Sequence, residues 1–177
     1  FPWQKESKYV FTTLNHNSVV GIRRYALNYG ANFYAVNSPK DVYKYYDPRS
    51  SAKNLLAFPL EENFAGKKFA PEEIQNILRN KTLREKWFIL GDAAAYLPTN
   101  PLNLGEIDYD AICMSFYKII GYPNTGALVI KKKFLESLVK KTYLSNSVNY
   151  TSVEKNKFSL SSFEDDEPPF NLNLAVR

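Results

Sequence analysis

The sequence predicts an α/β protein in which a mostly parallel sheet is covered by helices on both faces. Two observations predict it. Short runs such as WFILG (87–91), AICMS (111–115) and GALVI (126–130) are apolar without alternation, as strands buried on both faces require. Amphipathic stretches lie between several such runs, and alternating strands and helices pack as layers about a parallel sheet.

Taken in order, YVFTTL (9–14) reads as a strand rich in β-branched and aromatic residues. NSVVGIRRYALNYG (17–30) reads as one helix, with Asn17 as its N-cap and Gly30 just past its end. NFYAV (32–36) and NLLAFP (54–59) are strands, the second stopped by Pro59. APEEIQNILRN (70–80) opens on proline and two acids, which suit the first turn of a helix. The three apolar runs at 87–91, 111–115 and 126–130 follow as strands. KKFLESLVKKTYL (132–144) spaces its apolar residues three and four apart and predicts a helix. The stretch from 145 is polar and closes on FEDDEPPF, so it is expected to leave the sheet layer. The expected division is therefore 1–144 in the sheet domain and 145–177 outside it.

Composition narrows the class. At 177 residues with 45% hydrophobic and 15% aromatic content, the chain can bury a proper core. No apolar run approaches the ~20 residues of a membrane-spanning helix, so no membrane partner is expected. No charged-then-apolar leader precedes the first strand. One cysteine and one histidine rule out an internal disulfide and a Cys/His metal cluster, and fit a reducing, cytoplasmic setting. The net charge of +5 is dispersed and forms no basic stripe interleaved with stacking aromatics, so nucleic acid is not expected as a partner. The chain starts at Phe1 and ends in NLNLAVR, and is expected to be a piece of a longer protein.

In parallel sheets, ligands gather outside the carboxyl ends of the strands. His16, Asp92, Ser115 and Lys118 all follow strand ends and so are expected on one edge. Three have an ordinary reading alone: His16 as a capping or packing histidine, Asp92 as a helix-capping aspartate, Lys118 as a solvated lysine. Cys113, inside an apolar run, reads as inert core. The shared edge makes the four a candidate site without naming a reaction.

The segments NHNSVVGIRRYALNYGA (15–31), AFPLEENFAGKKF (57–69), FILGDAAAYLPTNPLNL (88–104) and SFYKIIGYPNTGAL (115–128) resemble the molybdenum cofactor sulfurases. KKTYLSNSV (140–148) and FED (163–165) add to that resemblance. The family belongs to the class V aminotransferase group, which uses pyridoxal phosphate (PLP). The resemblance implies the large domain of a fold type I PLP-dependent transferase, here incomplete. It implies that Lys118 holds PLP as a Schiff base, that Asp92 pairs with the pyridine nitrogen, that His16 stacks on the ring, and that Ser115 lies near the phosphate. It further implies a sulfurtransferase that takes sulfur from L-cysteine, through an enzyme persulfide, to the molybdenum cofactor held by a separate C-terminal domain. A homodimer fits the same resemblance. A non-catalytic relative acting as a scaffold, or a cysteine desulfurase or lyase with another acceptor, is the alternative. The 177 residues alone are expected to be inactive. Within the resemblance, Pro123-Asn124-Thr125-Gly126 replaces the family's Pro-Thr-Gly-Leu-Gly turn, Ala95 and Tyr117 replace a glutamine and a histidine of related desulfurases, and Asp166-Glu167 replaces Gly-Thr.

Overall fold

The computed structural model describes residues 1–138 and the backbone of two further strands, 148–151 and 158–160. Six strands form one sheet: β1 Lys8–Thr12, β2 Asn32–Val36, β3 Asn54–Pro59, β4 Trp87–Asp92, β5 Ala111–Ser115 and β6 Gly126–Ile130. Their order is β2-β1-β3-β4-β5-β6. The first five are parallel, and β6 runs antiparallel to β5. Strands β7 (Val148–Thr151) and β8 (Phe158–Leu160) pair antiparallel with each other in a separate two-stranded sheet. The other residues of 145–177, with FED and Asp166-Glu167, lie outside the described residues, as do 139–144.

Alternation along each strand builds two cores. Val10, Leu56, Phe58, Ile89 and Ile112 face one side, where Val42, Ile77, Leu78 and Leu83 cover them. Those four come from the 3-10 helix Pro39–Tyr45, α3 (Pro71–Arg79) and α4 (Lys81–Arg84). Tyr9, Phe11, Leu55, Ala57, Phe88 and Ala111 face the other side. There Val19 and Ala26, from α1 (Asn17–Val20) and α2 (Ile22–Asn28), and Phe134, from α6 (Lys132–Ser137), pack on the sheet. The mostly parallel sheet with helices on both faces is as the sequence predicts. On the second face a groove of about 530 Å³ remains between α2 and α6, floored by Leu90, Ala111 and Leu128.

Several elements differ from expectation. The helix over 17–30 is two short helices, α1 and α2, that meet at Gly21, itself at φ −63° and ψ −22°; its N-cap is His16 rather than Asn17. Helix α6 ends at Ser137, where Leu138 turns extended, well short of 144. Helix α5 (Phe116–Ile120) was not foreseen and carries Lys118.

Candidate functional site

The four sequence-singled residues stand at the carboxyl ends of β1, β4 and β5. Registers set their faces: Pro59 pairs with Asp92, Asp92 with Cys113, and Cys113 with Leu128. Paired residues of neighbouring strands project to the same face, so Asp92 and Cys113 sit side by side on the face of the second core.

Asp92 is buried, 6% exposed, and its Oδ1 accepts from the Ala94 N–H at 3.0 Å. Among the described residues no lysine or arginine pairs with it. The other buried aspartate behaves differently. Asp110 is gripped by Arg84, whose Nη2 donates to Oδ1 at 2.8 Å, and it also accepts from the Ile89 N–H at 2.7 Å. A buried carboxylate is costly unless a cation or several donors meet it. Asp110 has both; Asp92 has one backbone donor and the neighbouring Cys113 thiol, and no cation among the described residues. The Cys113 thiol beside it, donating to the Gly91 carbonyl at 3.7 Å, is pushed up to about 12 by burial and then by the Asp92 charge. It stays a neutral thiol, as its place in an apolar run predicted.

Ser115 ends β5 and caps α5: its Oγ accepts from the Lys118 N–H at 3.4 Å. Gly121, at φ +73°, closes the same helix in the left-handed conformation that glycine adopts without strain. Helix α5 buries no side chain, so Lys118 stands exposed, and its Nζ donates to Asn63 Oδ1. Asn63 lies in the loop after β3, two strands from β5, a lateral span of ~9.6 Å at ~4.8 Å per strand. The lysine therefore reaches across the end of β4, the strand that ends in Asp92. Sequence reading missed Asn63, because no local pattern marks a residue whose partner is 55 positions away.

His16 follows β1 and caps α1. The Ser18 N–H donates to its Nδ1 at 3.2 Å, so Nδ1 is the acceptor and Nε2 carries the ring proton. Its ring is exposed and bonded to Ser18 rather than to Asp92, Ser115 or Lys118. The structure thus joins Ser115 to Lys118, sets Lys118 across the end of β4, and leaves His16 two strands from Asp92 on the same edge.

The Pro-Asn-Thr-Gly turn keeps the conformation its missing glycine would supply. Asn124 has φ +58°, and asparagine is among the few residues that tolerate that region. Gly126 is required by packing, since a Cβ there would stand 2.6 Å from the Met114 carbonyl oxygen.

The chain belongs to the class-V aminotransferase family, whose pattern it matches over residues 2–165. Within that family its relatives include the molybdenum cofactor sulfurases. That of Solanum lycopersicum is 37% identical, over 82% of this chain and 22% of its own length. Those of Oryza sativa subsp. japonica and Homo sapiens are 35% and 32% identical, over 99% and 81% of this chain and 26% and 18% of their own. The chain thus spans about a fifth to a quarter of the length of these relatives. Among solved structures, the cysteine desulfurase CsdA of Escherichia coli superposes with TM-score 0.74 at 17% identity, over 98% of this chain and 43% of that one. A variant of the lyase C-DES, with glycine covalently linked to its PLP cofactor, superposes with TM-score 0.68 at 15% identity, over 91% of this chain and 44% of that one. These likenesses establish the fold.

Proposed function

We propose that the chain is the central part of the PLP domain of a sulfurtransferase that takes sulfur from L-cysteine and passes it, through a persulfide, to the molybdenum cofactor. The observation that carries this reading is Asp92, a buried carboxylate without a cationic partner, at the edge across which an exposed lysine amine reaches. A protonated heterocyclic nitrogen is the partner such a carboxylate fits, and an aldehyde is what a primary amine binds covalently. The residues therefore suit PLP, which supplies that aldehyde and an electron-accepting ring when bound.

Each residue then has a task of its own. Asp92 holds a proton at the ring nitrogen. Lys118 would hold the cofactor through Nζ, and the same amine would move the proton at the substrate α-carbon. Asn63 Oδ1 sets where Nζ stands. Ser115 accepts from the Lys118 N–H, which leaves its own hydroxyl hydrogen to donate to a phosphate oxygen. His16 offers a flat, exposed ring. Cys113 takes no part as persulfide carrier, because a half-buried thiol pushed up to about 12 supplies almost no thiolate. The persulfide cysteine, the binding of the molybdenum cofactor, a homodimeric state and a cytoplasmic location belong to the whole protein in this reading. So does the division into a sheet domain over 1–144 and a departing segment over 145–177. Among the described residues no helix is long and apolar enough to cross a membrane.

The experiment uses the full-length protein. With PLP added it is expected to gain a visible absorption band and to release alanine from L-cysteine. Lys118→Ala is expected to remove that band and to slow alanine release by about 10²–10⁴-fold, the range for losing a catalytic acid–base group. Asp92→Asn, of the same shape, is expected to keep PLP but lose turnover. A band that survives Lys118→Ala would show that another amine holds the cofactor.

A further inference from the structure

Strand pairing leaves a fork in the sheet. Beyond Phe11↔Ala57 the described pairing between β1 and β3 stops. Strand β1 goes on pairing with β2 through Thr12↔Val36, and β3 goes on with β4 through Pro59↔Asp92. The connection from β1 leads to one side of the sheet and that from β2 to the other, so the fork is where the winding direction reverses. Crevices at such points take ligands in open α/β sheets.

One side chain occupies the root of this fork. Asn15 Nδ2 donates to the Thr12 carbonyl at 3.0 Å, to Thr12 Oγ1 at 3.1 Å and to the Ala57 carbonyl at 3.0 Å. The first two bonds close the turn after β1; the third crosses to β3. Rotating the amide by half a turn would set its oxygen against these acceptors, so its orientation is fixed. Its Oδ1 is buried without a hydrogen-bond partner among the described residues. Natural proteins retain an unsatisfied buried acceptor where the group answers to something beyond local bonding. The next residue is His16, whose carbonyl accepts from the Val19 and Val20 N–H groups at 3.0 and 3.1 Å and so starts α1.

We propose that Asn15 is a positioning residue: its amide pins the turn after β1 into the fork and thereby fixes where the His16 ring stands over the site. The role rests on the PLP reading above. Asparagine is suited because it brings a two-hydrogen donor at the length the fork requires. Aspartate, of equal size, would aim a carboxylate at two carbonyl oxygens; serine offers a single donor on a shorter arm.

The test takes the full-length protein as wild type, Asn15→Asp, Asn15→Ser, His16→Ala and the double variant Asn15→Asp/His16→Ala. Asn80→Ala serves as a control for plain destabilisation, since Asn80 caps α4 through its bond from the Leu83 N–H at 3.0 Å. Hydrogen exchange without PLP is expected to speed about tenfold at Val19 and Val20 in Asn15→Asp, and less in Asn15→Ser. PLP affinity is expected to fall about tenfold in Asn15→Asp, with no further loss on adding His16→Ala, because coupled residues are not additive. Asn80→Ala is expected to lower Tm and leave PLP affinity alone. Should Asn15→Asp fail to fold, the serine variant carries the same two readouts. The role is overturned if exchange and affinity stay at wild-type values, or if the two substitutions act independently. A wild-type protein that takes up no PLP overturns the functional reading, and this role with it.

Discussion

Asp92 and Cys113 show how one register pair gives two side chains opposite fates. Both face the second core at the carboxyl edge, but the carboxylate must meet a charge while the thiol can stay neutral. With its thiol pushed up to about 12, Cys113 is expected to react with iodoacetamide at pH 8 roughly a thousandfold more slowly than an ordinary exposed thiol of pKa 9.0. The rate should climb about tenfold per pH unit while the fold stays intact, up to about pH 9. Alkylation at the ordinary rate would show that the thiol is neither buried nor beside a charge. His16, Asp92, Ser115 and Lys118 were legible because each follows an apolar run that had to be a strand. Asn15 and Asn63 were not, since each acts through a bond to a residue more than 40 positions away. Asparagine beside a turn carries no local mark of such a bond.

Among the elements, strands were the readable part. All six of the main sheet lie within two residues of their sequence-predicted places: β3 and β4 are buried along nearly their whole length, whereas the edge strands β2 and β6 read as short apolar runs although much of their surface is exposed. Short helices were harder. The 3-10 helix Pro39–Tyr45 carries only Ser-Pro and Asp41 as start signals, and α5, five residues long, is too short for its apolar spacing to establish a period. The helix over 17–30 was misread as continuous, since a single Gly21 inside a good pattern did not outweigh it. Arg84 ties α4 to the start of β5, with its side chain 13% exposed against 11% for Asp110. Removing one partner of a buried pair leaves a charge unmet, so Arg84→Ala is expected to cost about 3–5 kcal/mol in urea unfolding. A loss below about 1 kcal/mol would mark the pair as a surface interaction. In the turn before β6, Asn124→Gly is expected to be neutral, whereas Asn124→Ala should cost about 1 kcal/mol, because alanine lacks the short polar side chain that lets asparagine hold φ +58°.

At the scale of the molecule, the second face responds to alkali. Tyr9 is fully buried, its hydroxyl donates to the Val19 carbonyl at 2.6 Å, and burial pushes its phenol above the ordinary value. Cys113 faces the same side. Both groups bind a proton more tightly folded than unfolded. Their contribution to stability is therefore complete below pH 9 and is lost as pH rises through the range up to about 12. Circular dichroism is expected to show cooperative unfolding in that window, and Tyr9→Phe to move the midpoint upward. A midpoint that ignores Tyr9→Phe would place the alkaline trigger elsewhere.

The row Pro59–Asp92–Cys113–Leu128 has a consequence for how chain length can vary. Side chains alternate faces along a strand, so one residue inserted within Trp87–Gly91 would turn Asp92 to the opposite side. Asp92 would then leave the face it shares with Cys113. Between Ala94 and Asp108 the chain is a surface connection, and lengthening it leaves both strands in phase. Insertions and deletions should therefore be tolerated in that connection and excluded from the strand before Asp92. The stretch leading to the aspartate acts as a measuring rod whose unit is two residues.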